Sequence, residues 1–197
     1  MATQVSDIRC PSCKAAVTPS MEECPYCGNP VVISSFNSVL SMPLLQVNKY
    51  AASYKETLQD MPDDRNVNMS IGLCYLRLKM YDEAYQAFSK AIVDNFDCSD
   101  TYFYAAVCLL KGRKAFLLNR PEIDKILELM NAATMIEERG VYFYFMAYIK
   151  YDYFKRKFLN TTPNYKDYLA LAKSRGCSST DVDTMFQMMG VDKINIV

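Results

Sequence analysis

The clearest pattern of hydrophobic and polar positions lies between Asn66 and Ala91, where apolar and small residues recur at helical spacing. Two antiparallel helices that cross closely need such residues, because a glycine and an alanine let the backbones approach while aromatic rings fill the space beside them. The pattern therefore predicts a pair of antiparallel helices joined at Met80. Its key positions are, in chain order, Ile71-Gly72, Tyr75, Ala84, Phe88 and Ala91.

Less regular segments of the same kind lie on both sides of this pair. The apolar spacing over Leu44 to Met61 predicts an entry helix, which Pro62 ends. A second pair is expected to begin with Ser99 as its helix cap, and a third pair near Gly140. In both later pairs the chain between the two helices is longer than in the first pair. A last helix is predicted over 178–189.

Two sets of residues are interpreted as core. The first is the pair of cysteines in the predicted helices, Cys74 and Cys108. The second is the apolar face of the last helix, for which an adaptable surface for a partner is the alternative, since methionine suits both roles. This face consists of Val182, Met185, Phe186 and Met189.

The residues between Asn66 and Ala91 resemble a tetratricopeptide repeat, in which a large residue, Gly and Tyr on one helix precede Ala-x3-Phe-x2-Ala on the next, over about 34 residues. The resemblance extends loosely over 44–176 and implies a mostly α fold, an antiparallel helical-repeat stack. One such repeat cannot bury its apolar face alone, so neighbouring helices are expected to stack on it. Because stacks of this family typically bind proteins, the resemblance also implies a protein or peptide partner.

Four cysteines near the N-terminus form two C-x-x-C motifs, Cys10-Pro-Ser-Cys13 and Cys24-Pro-Tyr-Cys27, separated by ten residues. Each turn points two thiolates at one place, and two turns complete the tetrahedron that zinc prefers. The arrangement resembles a zinc ribbon; a redox dithiol pair and an iron site are the alternatives. Because four thiolates fill the coordination shell, the expected zinc ion is structural and not catalytic. Gly28, after the second motif, permits the required backbone conformation.

The charge of this segment argues against a nucleic-acid contact. A four-thiolate zinc centre carries two negative charges, so the predicted ribbon is net negative and binds phosphate poorly. We expect it to dock a protein or to act as a rigid cap. The charged residues concerned are Arg9 and Lys14 against Asp7, Glu22 and Glu23.

Composition narrows the classes of function. The 197-residue chain has 22 basic and 22 acidic residues and no histidine, which excludes Ser-His-Asp and Cys-His catalysis. It has no run of about 18 apolar residues that would predict a membrane span, and no visible secretory signal. We therefore expect a cytoplasmic protein with reduced cysteines that is not an enzyme.

Two basic clusters lie at the long turns of the second and third helix pairs. Turns at equivalent places in successive repeats fall on one edge of a stack, so the clusters would form one patch for an anionic partner. Nearby aromatic residues would suit an acidic protein segment or single-stranded nucleic acid; alternatively, the charges are solvated helix ends. The basic residues are Lys111, Arg113, Lys114 and Arg120, then Lys155, Arg156 and Lys157; the aromatic ones are Tyr151, Tyr153, Phe154 and Phe158.

These predictions combine into a zinc ribbon over 1–33, a linker over 34–43, a helical-repeat domain over 44–176, and a capping helix with a tail over 177–197. We predict a non-enzymatic adaptor or scaffold whose helical stack binds a protein or peptide. The alternative function is that of a nucleic-acid-associated accessory factor, which would use the basic and aromatic edge of the repeats.

Overall fold

The computed structural model describes residues 8–18, 20–93 and 97–196, and in these ranges the chain is mostly α-helical. The mostly α fold class predicted from the sequence is thereby confirmed. The chain divides into two compact units, Met1–Asn95 and Phe96–Val197. None of the described helices combines the length and the apolar character that crossing a membrane requires.

Among its described residues, the N-terminal unit contains a small hairpin followed by four helices. Its two strands pair antiparallel, with Ile8 opposite Val17. The Asp64 side chain caps the third helix, because it accepts a hydrogen bond from the Val67 backbone N–H at 2.9 Å. The elements are β1 (Ile8–Arg9), β2 (Ala16–Val17), α1 (Phe36–Leu40), α2 (Leu44–Asp60), α3 (Arg65–Arg77) and α4 (Tyr81–Ile92).

Helix α3 forms the centre of this unit and packs against α1, α2 and α4. Gly72 lies where α3 meets α4, and a Cβ added to it would come within 2.7 Å of the Phe88 ring. Ala84 and Ala91 of α4 are fully buried beside this contact. The helix pair predicted on both sides of Met80 is therefore present, with the close approach that its small residues predict.

The segment predicted as a linker, 34–43, contains α1 and is packed against the helices. Just before it, the Ile33 backbone N–H donates to Ser70 Oγ of α3 at 2.8 Å. The Tyr54 hydroxyl of α2 donates to the Val31 carbonyl at 2.9 Å. The predicted domain limits remain predictions, because packing alone does not test whether a segment folds by itself.

The C-terminal unit contains five α-helices and two short segments of other helical type among its described residues. They are α5 (Ser99–Cys108), a 3-10 turn (Ala115–Leu117), α6 (Arg120–Ile136), α7 (Gly140–Ile149), a π-helical segment (Lys150–Lys155), α8 (Tyr165–Ser174) and α9 (Ser179–Met189). Helix α5 packs against α6, α7 packs against α8, and α9 contacts both α5 and α7. Asn119, Asn164 and Ser178 cap α6, α8 and α9 with capping boxes.

Ser99 is not the helix cap that the sequence predicts. Cys98 takes the capping position, and Ser99 is the first residue of α5. The Ser99 hydroxyl instead hydrogen-bonds to the Glu137 carboxylate and to the Tyr142 hydroxyl, both at 2.9 Å. Because Ser99 is buried, these distant polar groups satisfy its hydroxyl in place of the backbone of its own helix.

Helical structure continues after Ile149, since the π-helical segment follows α7 directly. Its hydrogen bonds span five residues, as in the bond from the Arg156 N–H to the Tyr151 carbonyl at 3.2 Å. Lys155 therefore ends this segment, and only Arg156 and Lys157 belong to the turn where the sequence placed all three.

Aromatic rings on α5, α7 and α9 form the core of the C-terminal unit. The Phe103 and Phe145 ring centroids lie 5.7 Å apart edge to face, and those of Tyr148 and Phe186 lie 5.5 Å apart. The core role predicted for the apolar face of α9 is confirmed, because all four of its side chains are buried: Val182, Met185, Phe186 and Met189.

Candidate metal centre and basic edge

The two C-x-x-C motifs fold into turns with the same backbone geometry. The Lys14 N–H donates to the Cys10 carbonyl at 2.9 Å, and the Gly28 N–H donates to the Cys24 carbonyl at 2.8 Å. Lys14 and Gly28 both have a φ of 67°, in the left-handed region. The sequence pattern indicated this conformation for Gly28 alone, because lysine carries no intrinsic preference for it.

These turns bring together the sulfur atoms of Cys10, Cys13, Cys24 and Cys27, which all lie within 4.8 Å of one another. The Sγ atoms of Cys10 and Cys27 are 3.8 Å apart, and those of Cys13 and Cys24 are 3.7 Å apart. In a tetrahedral zinc site with Zn–S bonds of about 2.3 Å, neighbouring sulfurs are about 3.8 Å apart. The four cysteines could therefore hold a metal ion, and their spacing fits a tetrahedral one.

Two of the four thiols, Cys27 and Cys13, differ in acidity. Hydrogen bonds from the side chain and backbone of Asn29 lower the pKa of Cys27 to about 6. The backbone of Ala15 acts to lower the pKa of Cys13, but desolvation and the neighbouring thiols outweigh it and raise that pKa to about 12. A bound metal ion removes the difference, because it takes all four sulfurs as thiolates.

Two lysines attach the first cysteine turn to α2. Lys14 Nζ donates to Ser53 Oγ at 3.1 Å and lies 3.5 Å from the Glu56 carboxylate. Lys49 Nζ donates to the Ser12 carbonyl at 3.0 Å. The cysteine cluster therefore lies against the helices of the N-terminal unit, and its loss would disturb more than the hairpin.

In the C-terminal unit, the two basic clusters meet at the 3-10 turn. The Phe116 N–H donates to the Asp152 carboxylate at 2.9 Å. The Arg156 guanidinium lies 4.4 Å from the Phe116 ring centroid, and Lys157 Nζ donates to the Leu118 carbonyl at 3.3 Å. We call the seven basic residues the basic edge: Lys111, Arg113, Lys114, Arg120, Lys155, Arg156 and Lys157.

Several cations of the basic edge already have partners within the unit. Lys157 Nζ lies 3.9 Å from the Tyr153 ring centroid. By contrast, Lys114 and Lys155 form no ion pair with any residue that the structure describes, so their charge is available. The ion pairs of the edge are Arg113–Glu122 and Arg120–Asp124, both at 2.8 Å, and Arg156–Asp152 at 2.6 Å.

The aromatic side chains near the basic edge differ in exposure. Tyr153 and Phe154 are buried, and Tyr151 is half-buried. Phe158 is 92% exposed and adopts a left-handed φ of 57°, and Leu117 of the 3-10 turn is 64% exposed. The apolar surface that a partner could contact at this edge therefore comes mainly from Phe158 and Leu117, with a smaller part from Leu159.

The remaining cysteines lie outside the group of four that could hold a metal ion. Cys74 and Cys108 are buried in helices, which confirms their predicted place in the core. Burial raises the pKa of the Cys74 thiol to about 12. Among the described residues, no other group of His, Cys, Asp or Glu is arranged to hold a metal ion.

Comparison with known proteins finds no relative: no protein-family model matches the chain, and no curated protein matches it. The packed helix pairs and the cysteine cluster are therefore established by the structure alone. The resemblance to tetratricopeptide repeats stays a prediction.

Proposed function

We propose that this protein is a non-enzymatic adaptor, in which a structural zinc ion stabilises the N-terminal unit and the C-terminal unit binds a protein or peptide. The helix pair built on Gly72 and Phe88 supports the repeat-like part of this proposal. Helical-repeat stacks bury their cores between neighbours and use their remaining surface for partners.

Zinc is the metal that best suits the cysteine cluster. Four thiolates at tetrahedral spacing match a closed structural zinc site, which leaves no coordination position for water or substrate. A metal in such a site contributes to folding and not to a reaction. Elemental analysis of the purified protein separates zinc from iron and from a metal-free dithiol pair.

The observation that carries the proposed partner surface is the exposure of Leu117 and Phe158 beside unpaired cations. Leu117 lies in the 3-10 turn, and Phe158 follows the π-helical segment that packs against this turn. Single exposed apolar residues are common, but here two lie on segments that pack against each other. Lys114 is close in sequence to Leu117, and Lys155 is close in sequence to Phe158. Such a surface complements an acidic segment that carries apolar side chains.

Single-stranded nucleic acid remains the second candidate partner, because the basic edge carries Lys114 and Lys155 without ion pairs. Base recognition without sequence preference needs exposed rings for stacking. Tyr153 and Phe154 are buried, which leaves Phe158 as the one fully exposed ring of the four aromatic residues near the edge. This arrangement favours the protein partner over the nucleic acid.

Affinity capture from the source cells tests the proposal with matched variants. The double variant Leu117→Ser, Phe158→Ser should lose a captured partner, because it removes the apolar contact. Met135→Ser is the control, since Met135 is 87% exposed on α6 and lies outside the basic edge. A partner that is still captured by both the apolar double variant and the double variant Lys114→Glu, Lys155→Glu would contradict the proposed binding surface.

Salt dependence separates the two kinds of partner. Binding to phosphates falls steeply with added salt, by about 1000-fold or more between 50 and 200 mM for several phosphate contacts, whereas a protein segment held by apolar contacts and two lysines should weaken much less. Nuclease treatment before capture gives a second readout. The proposed protein partner should remain after nuclease treatment and at the higher salt.

A further inference from the structure

A pocket of about 460 Å³ lies between the π-helical segment and the start of α8. Its lining includes three lysines, Lys150, Lys155 and Lys166, and the hydroxyl-bearing Thr161. No acidic residue is among the side chains that line it. The pocket is therefore a concave site of net positive charge, with a volume suited to a small ligand or to one side chain of a peptide.

Lys150 is the unusual member of this set, because it is only 8% exposed. Its Nζ donates to Thr161 Oγ1 at 2.7 Å and lies 4.7 Å from the Phe154 ring centroid. It forms no ion pair with any residue that the structure describes. The nearby carboxylate of Asp124 is already bound by Arg120 at 2.8 Å.

A buried ammonium group without a counter-ion is costly, because burial removes its hydration and no opposite charge replaces it. Burial and the nearby Arg120 accordingly lower the pKa of Lys150. One of its three donors is used by Thr161, so the group can still bind an anion. An anion in the pocket would supply the missing charge.

The backbone places the other two lysines around the same space. In the π-helical segment, hydrogen bonds span five residues, so Lys150 and Lys155 are one turn apart. Lys166 comes from the first turn of α8, whose free N–H groups are capped by the Asn164 side chain. The lysine side chains, and not the helix end, therefore offer the donors.

We propose that this pocket binds a phosphate monoester through Lys150, Lys155 and Lys166, with the Thr161 hydroxyl as an additional polar contact. A phosphate monoester carries about −1.5 to −2 charges near pH 7 and offers three acceptor oxygens, which suits a triad of ammonium groups. A single carboxylate has one charge and two oxygens, and it matches the triad less well. The proposal does not rest on the adaptor function, although Lys155 belongs to both the pocket and the basic edge.

Two sources of this group are distinguished by the choice of probe. Isothermal titration calorimetry, at fixed ionic strength, measures binding of inorganic phosphate, of O-phosphoserine and of a short phosphoserine peptide, with its unphosphorylated form as reference. A peptide that binds more tightly than O-phosphoserine identifies a phosphorylated protein as the source. Equal affinities identify a small phosphorylated molecule. Either result supports the site.

Substitutions at two of the lysines locate the binding. Lys150→Met and Lys166→Met should each weaken O-phosphoserine binding about tenfold or more, as loss of a charge-assisted hydrogen bond does. Lys173→Met is the matched control, because Lys173 is an exposed lysine on the same helix as Lys166 but outside the pocket. Lys166 is exposed, so Lys166→Met leaves the core intact. This variant therefore still tests the site if Lys150→Met prevents folding.

Two results would overturn the proposal. One is the absence of saturable binding by any phosphate probe up to about 10 mM. A dissociation constant above that concentration means a binding free energy weaker than about 3 kcal/mol. The other is an equal loss of binding in Lys173→Met and Lys166→Met, which would indicate an unspecific charge effect. Neither result bears on the partner surface, because Lys150 and Lys166 lie outside the basic edge, and Leu117 and Phe158 lie outside the lining of the pocket.

Discussion

The two units of this chain stabilise their folds by different means. The N-terminal unit gathers four thiols within 4.8 Å and attaches their turns to α2 through Lys14 and Lys49. The C-terminal unit uses an aromatic core and the buried carboxylate of Asp152, which binds the Phe116 N–H and Arg156. In the first unit the four cysteines could hold a metal ion, and in the second the interactions are made between side chains and backbone of the unit itself.

This difference separates a site formed by residues close in sequence from a network formed by residues far apart in sequence. The cysteine cluster comes from two short motifs, and each makes its turn from residues close in sequence. The Asp152 network joins residues 36 positions apart, so it forms only when the π-helical segment and the 3-10 turn meet. The two units should therefore respond to different perturbations, and the following variants test that expectation from the largest effect to the smallest.

Cys10→Ser should have the largest effect. It removes one of four thiolates from a site whose metal typically contributes about 10–16 kcal/mol of apparent binding free energy. Amide protection should fall within 8–93, most of all in the cysteine turns, and remain within 97–196, as hydrogen exchange read by mass spectrometry would show. Cys98→Ser is the control, because Cys98 lies outside the cluster. Equal protection in the two variants would refute the metal's role.

Asp152→Ala should destabilise the C-terminal unit by about 2–3 kcal/mol, because it leaves the Phe116 N–H without its acceptor and removes the buried carboxylate that pairs with the half-exposed Arg156. Asp152 is fully buried. The matched variant Asp124→Ala breaks an exposed pair with Arg120 and should cost less than about 1 kcal/mol. Denaturant unfolding measures both, and similar costs would show that the Asp152 network does not stabilise this unit.

Gly140→Ala and Gly72→Ala compare close contacts in the two units. A Cβ on Gly140 would meet the Cys177 backbone nitrogen at 2.6 Å, and one on Gly72 would meet the Phe88 ring at 2.7 Å. Backbone cannot shift as a ring can, so we expect about 2–3 kcal/mol for Gly140→Ala and about 1 kcal/mol for Gly72→Ala. Thermal unfolding tests this order, and its reversal would contradict the packing described for Gly140.

Lys14 should show the smallest effect, and two substitutions separate its two roles. Lys14→Ala loses the Ser53 contact but keeps the left-handed backbone strain, whereas Lys14→Gly loses the contact and relieves the strain. The glycine variant should be more stable by about 1 kcal/mol. Denaturant midpoints measured with zinc present give this difference, and equal midpoints would show that the turn is unstrained.

The features that the sequence predicted are those with local signals. The four cysteines and the helix pair around Gly72 follow from residue types at fixed spacing, and the structure contains both. The caps of α6 and α8 likewise come from short local motifs at Asn119 and Asn164, which the sequence analysis did not name.

The features that the sequence missed depend on contacts between distant residues. Ser99 has the residue type of a cap, but the distant side chains of Glu137 and Tyr142 take its hydroxyl. Asp152 lies between two tyrosines. A charged residue within such an aromatic segment was the one feature of the sequence that indicated a buried carboxylate. The left-handed backbone conformation of Lys14 had no signal in the sequence, because it follows from the turn that the cysteines form.

The measurement that most directly tests this account is the zinc content of the purified protein, followed by hydrogen exchange before and after chelation. We predict one zinc ion per chain, and after chelation a loss of amide protection within 8–93 that added zinc restores, while 97–196 stays unchanged. A folded protein that contains no metal, and whose 8–93 region keeps its protection, would contradict the central claim.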